Sequence, residues 1–393
     1  MVPPRYGAEV VGGAENLMGA LARRSAEAGI DVEVATTCAS SNETWANDLP
    51  SGATTEGGVV VHRFRVTPRD VARHRLLTGR LALQGRLSPL DEADLLATSV
   101  WSGDLQRFID HEGPGYDAVV FTPYLLGTTF WGAQSWPDRT AIIPCLHDEP
   151  WAYLPSIQSV LRSSAVLLFN ARGEERLARR LLGDVRGTIV GMGFDPPVTP
   201  APADFAVRHG LDRYVLYAGR LEQGKRVHVA AQYVADFARR HDPSLRLVTI
   251  GAGGWEPPAD VAGFVRAIGF VPGEEKRAAM AGALALVNPS EMESLSIVIL
   301  EAWLEGTPVI VAAGSEVMAD HCADAGGGFT FADQPSFDEA LASLLESETL
   351  RREMGARGHA YVRQRYAWPE VLDRFQAAIS RVGAPLQCGG CAP

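Results

Sequence analysis

The chain has 393 residues, 46% hydrophobic and 21% charged, a globular composition that excludes a disordered or fibrous protein. Lys+Arg number 36 against 47 Asp+Glu, and a formal net charge of −11 argues against general nucleic-acid binding. No apolar run reaches the roughly 18 residues of a membrane span, and the start Met1-Val2-Pro3-Pro4-Arg5-Tyr6 lacks an export signal.

At roughly 100–200 residues per domain the length suggests two domains. Short apolar runs predict strands at 32–36, 59–64, 117–121, 141–146, 165–170 and 188–191. Helical periodicity predicts helices at 14–28, 102–111, 151–162 and 172–182. Segment 69–90, from Arg69 to Leu90, interleaves Arg69, Arg73, Arg75, Arg80 and Arg86 with leucines. It reads as a solvated helical excursion on the acceptor side, with an interfacial helix against anionic lipid as the alternative. Four prolines between Phe194 and Pro202 read as a stiff linker. The pattern then restarts, with strands at 214–218, 245–250, 264–270, 284–288, 308–311 and 328–331. Helices follow at 227–240, 274–281, 296–305, 336–346 and 351–365, and a last one at 369–379. Apolar strands alternating with helices predict α/β units, each a doubly wound parallel sheet with helices on both faces. Ligands in such sheets bind beyond the strands' carboxyl ends, so two facing sheets would make a cleft.

Cys38, Cys145 and Cys322 are scattered, and Cys388 and Cys391 form a CxxC in the tail without the second pair that zinc needs. Reduced thiols and no export signal point to the cytoplasm. Lys225 and Lys276 are the only lysines, so arginine is the default cation and each lysine stands out.

Four segments carry candidate chemistry. In 289–303 a strand end leads through small residues into a helix, where the N–H groups of Ser294, Leu295 and Ser296 would face an anion. Glu293 and Glu301 flank that turn on an apolar background, where a carboxylate needs a hydrogen-bonding role. In Gly219-Arg220-Leu221-Glu222-Gln223-Gly224-Lys225 two cations follow a strand, a pattern suited to a diphosphate. Gly12 and Gly13 precede the first helix, and His147 follows the strand at 141–146. There is no G-x-G-x-x-G and no P-loop, which disfavours nicotinamide and P-loop enzymes. No Asp-x-Asp is present to hold a divalent ion, and Arg220 with Lys225 would neutralise a leaving group instead.

Together these residues resemble glycosyltransferase family 4, retaining nucleotide-sugar transferases of GT-B fold: two Rossmann-like domains facing across a cleft. Glu293 and Glu301 match its E-x7-E motif, Gly219, Arg220, Leu221 and Lys225 its Gly-Arg-Leu-x-x-x-Lys, and residues 12–15 its Gly-Gly-Ala-Glu loop. Asn170-Ala171-Arg172 and Gly191-Met192-Gly193-Phe194-Asp195 are supporting matches. The resemblance implies an acceptor-side domain at 1–195, a donor domain at 196–367, a helix at 368–382 returning to the first domain, and a tail at 383–393. It implies that Arg220 and Lys225 bind the donor diphosphate, Glu301 the ribose, Glu293 the transferred sugar, and the backbone near Phe270 and Val271 the base. Gly12 and Gly13 would line the phosphates, and His147 would approach the sugar and acceptor. Eight residues of full helix would set Glu293 about 12 Å from Glu301, near the ribose-to-hexose span.

Two departures stand out. Only Met1 and Val2 precede the loop where family members usually have a full central strand, so either the true start lies upstream or the first sheet is compromised and its apolar neighbours exposed; and Arg226 stands where the family often has glycine. The expected function is metal-independent, retaining transfer from a UDP- or GDP-sugar to a hydroxyl of a small-molecule, glycan or lipid-linked acceptor, without nucleic acid and without a cofactor. The expected location is the cytoplasm, with peripheral membrane contact through 69–90 as an added possibility. The competing readings are a nucleotide-sugar epimerase, a sugar phosphorylase, or a catalytically impaired nucleotide-binding partner protein.

Overall fold

The strand–helix alternation folds as two separate α/β units. The computed structural model describes residues 1–10, 12–197, 199 and 204–382. One unit is Met1–Gly193 with Trp368–Pro393, and the other is Phe194–Ala367. Cys388, Cys391, Val11, Val198 and linker residues 200–203 lie outside the described residues.

The first unit runs α1 (Gly13–Glu27), β1 (Glu33–Thr37), β2 (Gly52–Glu56), β3 (Val59–Phe64), α2 (Val71–Gln84), α3 (Pro89–Ala97), α4 (Gly103–Glu112), β4 (Val119–Phe121), α5 (Gly127–Gly132), β5 (Thr140–Ile142), α6 (Pro155–Ser163), β6 (Val166–Phe169), α7 (Arg172–Leu182) and β7 (Gly187–Ile189). β1 pairs in parallel with β3, and β2 turns back antiparallel on β3. β4, β5, β6 and β7 form a four-stranded parallel sheet. Met1 and Val2 join the two: Ala35 N–H donates to the Met1 carbonyl at 2.9 Å, and Val2 N–H to the Val120 carbonyl at 2.7 Å.

Beside that two-residue stub is a cavity of about 220 Å³, lined by Val32, Glu33, Phe108, Val119 and Phe375 among others. The Met1 α-amine donates to the Glu33 carbonyl at 2.7 Å, and burial pushes its pKa down to about 5.

The second unit runs α8 (Phe205–His209), β8 (Arg213–Ala218), α9 (Val227–Arg240), β9 (Leu245–Ile250), β10 (Val265–Gly269), α10 (Gly273–Ala281), β11 (Leu286–Asn288), α11 (Ile297–Leu304), β12 (Val309–Ala312), α12 (Glu316–Ala325), β13 (Gly328–Phe331), α13 (Gln334–Glu346) and α14 (Glu348–Arg365). Its six strands are all parallel in the order β10-β9-β8-β11-β12-β13. After Ala367 the chain returns to the first unit as α15 (Trp368–Ile379), which buries Trp368, Val371 and Phe375 among Leu17, Met18, Leu21 and Leu168.

Local chemistry explains where the elements differ from the sequence expectation. The helix expected at 151–162 is a 3-10 turn, Pro150–Tyr153, followed by α6, because Pro155 fits only a first helical turn. The strand expected at 141–146 stops at Ile142, ahead of Pro144 and of Cys145 at φ 52°. The 69–90 excursion is α2, ended by Gly85 in the left-handed region, and then α3, capped by Ser88 with Pro89 at its start. Among the described residues no helix is long and apolar enough to cross a membrane.

Trp303 of α11 is the largest fully buried side chain among the described residues. It donates its indole N–H to the Gly327 carbonyl at 2.9 Å and packs edge-on against Tyr361 of α14. Trp303→Ala should cost about 3–5 kcal/mol through the cavity and the orphaned carbonyl, with Trp303→Phe intermediate. The measurement is the shift in urea midpoint, followed through a probe in the second unit.

Candidate functional site

In the second unit β8, β9 and β10 progress outward one way, and β11, β12 and β13 the other. The direction reverses between β8 and β11, and at such a switch point the loops after the two strands diverge and leave a crevice. The two loops are residues 219–226 and 289–296, which hold two of the sequence motifs.

The first loop begins where β8 meets β9. Gly219 N–H donates to the Ile250 carbonyl at 3.0 Å, and a Cβ on Gly251 would collide with the Gly219 carbonyl. Only glycine lets the two strand ends approach so closely. Tyr217 then fixes the turn through its hydroxyl, 2.7 Å from the Arg220 carbonyl. Arg220 is exposed and lies 3.1 Å from Glu222. Gln223–Lys225 form a 3-10 turn, and Arg226 enters α9 at φ 55°. That left-handed conformation is one glycine takes without strain, the residue often found here in the family that the sequence resembles.

The second loop follows β11. The Asn288 side chain donates to Ser296 Oγ at 3.0 Å and accepts from Ser290 N–H at 3.1 Å, tying both ends of the loop. Leu295 and Ser296 are buried, Ser294 is half-buried, and Ser296 takes φ 61° before α11 begins at Ile297. Glu293 therefore lies in the loop and not on the helix, so a helical rise does not set its distance from Glu301.

Ion pairs join the two loops. Lys225 Nζ lies 2.8 Å from Glu293 Oε1, and Arg226 pairs with Glu291. One helix further on, Lys276 of α10 lies 2.6 Å from Glu301 Oε1 on α11, and Arg277 Nε lies 2.6 Å from Glu305 Oε1. The structure thus brings Lys225 and Glu293 together, and it gives Glu301 a partner, Lys276, that the motif search had not placed in the site. The rarity of lysine was the available signal. Phe270 is largely exposed and Val271 half-buried, just beyond β10.

The first unit places Gly12 and Gly13 at the start of α1, in the loop that follows the Met1–Val2 stub. Arg5 holds this loop: it is buried, lies 2.5 Å from Glu15 and donates to the Ser40 carbonyl at 2.9 Å. A side chain at Gly12 would run into the Glu15 carboxylate. His147 lies past β5, partly exposed, its Nδ1 3.5 Å from Glu149, which Tyr124 grips through its hydroxyl at 2.9 Å.

Beneath His147 sits a residue that sequence reading missed. Glu174, in the first turn of α7, is buried and accepts the backbone N–H of Leu146 at 2.6 Å and of Asn170 at 2.5 Å. It ties together the loops after β5 and β6, and so fixes the chain one residue before His147. Burial pushes its pKa up to about 8, against the pull of those N–H donors toward the charged form. Cys145, whose thiol burial pushes up to about 12, is held beside Thr122 and Asn170 and is a structural residue.

Residues 206–361 match the family described as Glycosyl transferases group 1. The D-inositol 3-phosphate glycosyltransferases of Xylanimonas cellulosilytica and Gordonia bronchialis are each 26% identical, over 76% and 92% of this chain and 81% and 82% of their own. Among solved structures, the sucrose-phosphate synthase of Thermosynechococcus elongatus aligns at TM-score 0.70 and 17% identity, over 96% of this chain and 97% of its own. Anabaena HepE in complex with UDP and glucose aligns at 0.67 and 15%, over 96% and 99%. The fold is GT-B, two Rossmann-like units, and the protein is an enzyme of the glycosyltransferase class.

The buried carboxyl predicts a pH dependence. With a folded pKa near 8 against an ordinary 4.5, Glu174 contributes stability that is lost as pH rises from about 4.5 to 8, opposed above about 5 by the Met1 α-amine, whose lowered pKa leaves the unfolded state binding more protons. Glu174→Gln, which cannot ionise, should be less stable at low pH, and the gap between wild type and variant should narrow as pH rises through that window in urea unfolding. An unchanged slope in the variant would assign the pH dependence to other groups.

Proposed function

We propose that this chain is a retaining, metal-independent transferase of the family 4 type that moves a sugar from a UDP- or GDP-sugar to an acceptor hydroxyl. The observation that carries the reading is the pairing of the E-x7-E carboxylates with lysines around the β8/β11 switch point. HepE, solved with UDP and glucose, favours UDP as the nucleotide.

In this reading Arg220 and Lys225 take the diphosphate, helped by the backbone N–H groups of residues 294–296. Glu301 takes the ribose diol, Glu293 a hydroxyl of the transferred sugar, and the backbone at Phe270 and Val271 the base. Gly12 and Gly13 give the phosphates close backbone approach, and His147 meets the sugar and acceptor. The bond between the anomeric carbon and the diphosphate oxygen breaks while the acceptor oxygen bonds to the same face of that carbon. The acceptor proton passes to the departing diphosphate oxygen, whose charge Arg220 and Lys225 stabilise. No protein nucleophile is needed.

The acceptor belongs to the first unit. The relatives named for inositol 3-phosphate make a phosphorylated polyol a first compound to try. Peripheral membrane contact is a second reading for 69–90, supported by exposed Leu76, Leu83 and Leu90 beside exposed Arg75 and Arg86.

Calorimetric titration with UDP, GDP, ADP and TDP in EDTA should show binding of one nucleotide. Arg220→Ala/Lys225→Ala should abolish it, and Arg220→Ala alone should depress turnover about 100-fold or more. Binding that requires added divalent metal would refute metal independence, and no binding at all would favour a non-catalytic protein. For the membrane reading, anionic vesicles should co-sediment the protein and Leu76→Ser/Leu83→Ser should release it; equal partition of both proteins would remove that reading.

A further inference from the structure

The two lysines occupy matched settings. Each is followed by an arginine, and each Lys-Arg pair faces two glutamates. Lys225 meets Glu293 while Arg226 meets Glu291, and Lys276 meets Glu301 while Arg277 meets Glu305. The carboxylates of the E-x7-E motif thus take the lysines and the neighbouring carboxylates take arginines, in a chain where the other 34 basic residues are all arginine.

The chemistry of the cations separates the two kinds of partner. An ammonium is a compact point charge that occupies one carboxylate oxygen, whereas a guanidinium presents five donors in a fork that spreads over both oxygens or over several acceptors. Arg277 behaves that way: its donors reach Glu305, Glu274 and the Thr199 carbonyl. Lys225 and Lys276 each reach Oε1 of their glutamate, and among the described residues Oε2 of Glu293 and of Glu301 accepts no hydrogen bond. A carboxylate that must accept hydroxyls from a ligand needs that oxygen open to it.

We infer that Lys276 is a positioning residue for nucleotide recognition: it holds Glu301 by one oxygen, so that the other is presented to the ribose diol of a nucleoside diphosphate. The inference rests on the assignment of Glu301 to ribose made above. It adds that lysine rather than arginine at 276 is a requirement of geometry. A purely structural helix–helix pair would accept arginine, as its neighbour Arg277 shows. Lys225 holds Glu293 in the same way.

The test is calorimetry with UDP, or GDP if that is the base bound, against its 2′-deoxy and 3′-deoxy forms, on wild type and four variants. Lys276→Arg keeps the charge and crowds both oxygens; it should weaken ribonucleotide binding about tenfold and shrink the preference over the deoxy forms. Lys276→Gln blocks neither oxygen; it should lose no more than about threefold and keep that preference. Arg277→Lys should bind as wild type. Melting curves confirm that each variant folds. Wild-type affinity and preference in Lys276→Arg would overturn the inference while leaving the function intact. Wild-type preference in Glu301→Gln would instead overturn the ribose assignment itself.

Discussion

The parallel pairing of β8 with β11 is the constraint from which the donor side follows. Leu216 stands opposite Leu286 in that pairing, so the strands point the same way and their exit loops emerge side by side. Residues 225 and 293, 68 positions apart in sequence, come within 2.8 Å for that reason. The central strands are buried on both faces, so a slip in register would misplace side chains packed against the helices on either side. Packing thus fixes the geometry of loops that have little apolar packing of their own.

Much of this was legible beforehand because it is written locally. Buried parallel strands are continuous apolar runs, and helices such as Val227–Arg240 and Arg172–Leu182 carry the 3.6-residue period over their whole length. β2 was not legible: Gly52–Glu56 is exposed or half-exposed throughout, so it has no alternation, and its pairing shows only in the Gly57-Gly58 turn, both at positive φ. α12 hides because its buried face is built from Val317, Met318, His321 and Cys322, a mixed set that does not read as an apolar stripe. Of the site, the motif residues could be read off the sequence. Their partners could not, since nothing local ties Lys276 to a glutamate 25 residues away or Glu174 to the amides of Leu146 and Asn170.

The first unit solves a different problem. Its Gly12-Gly13 loop and His147 segment have little regular structure, and each is pinned by a buried ionisable group: Arg5 on Glu15 in one, Glu174 across two loops in the other. Such groups hold backbone in place that no helix or ladder supports, at the cost of their own desolvation. The Met1–Val2 segment bridges the two sheets by backbone hydrogen bonds beside a cavity.

The scarcity of lysine also gives the described residues an unusual chemical map. Their primary amines are three: the α-amine of Met1, buried at the Glu33 carbonyl, and the side chains of Lys225 and Lys276, each partly open to solvent. A reagent that acylates or reductively alkylates amines in the folded protein is therefore directed, by composition alone, to the surroundings of Glu293 and Glu301. Mass gain at two residues becomes a readout of what occupies that crevice, without any engineered label.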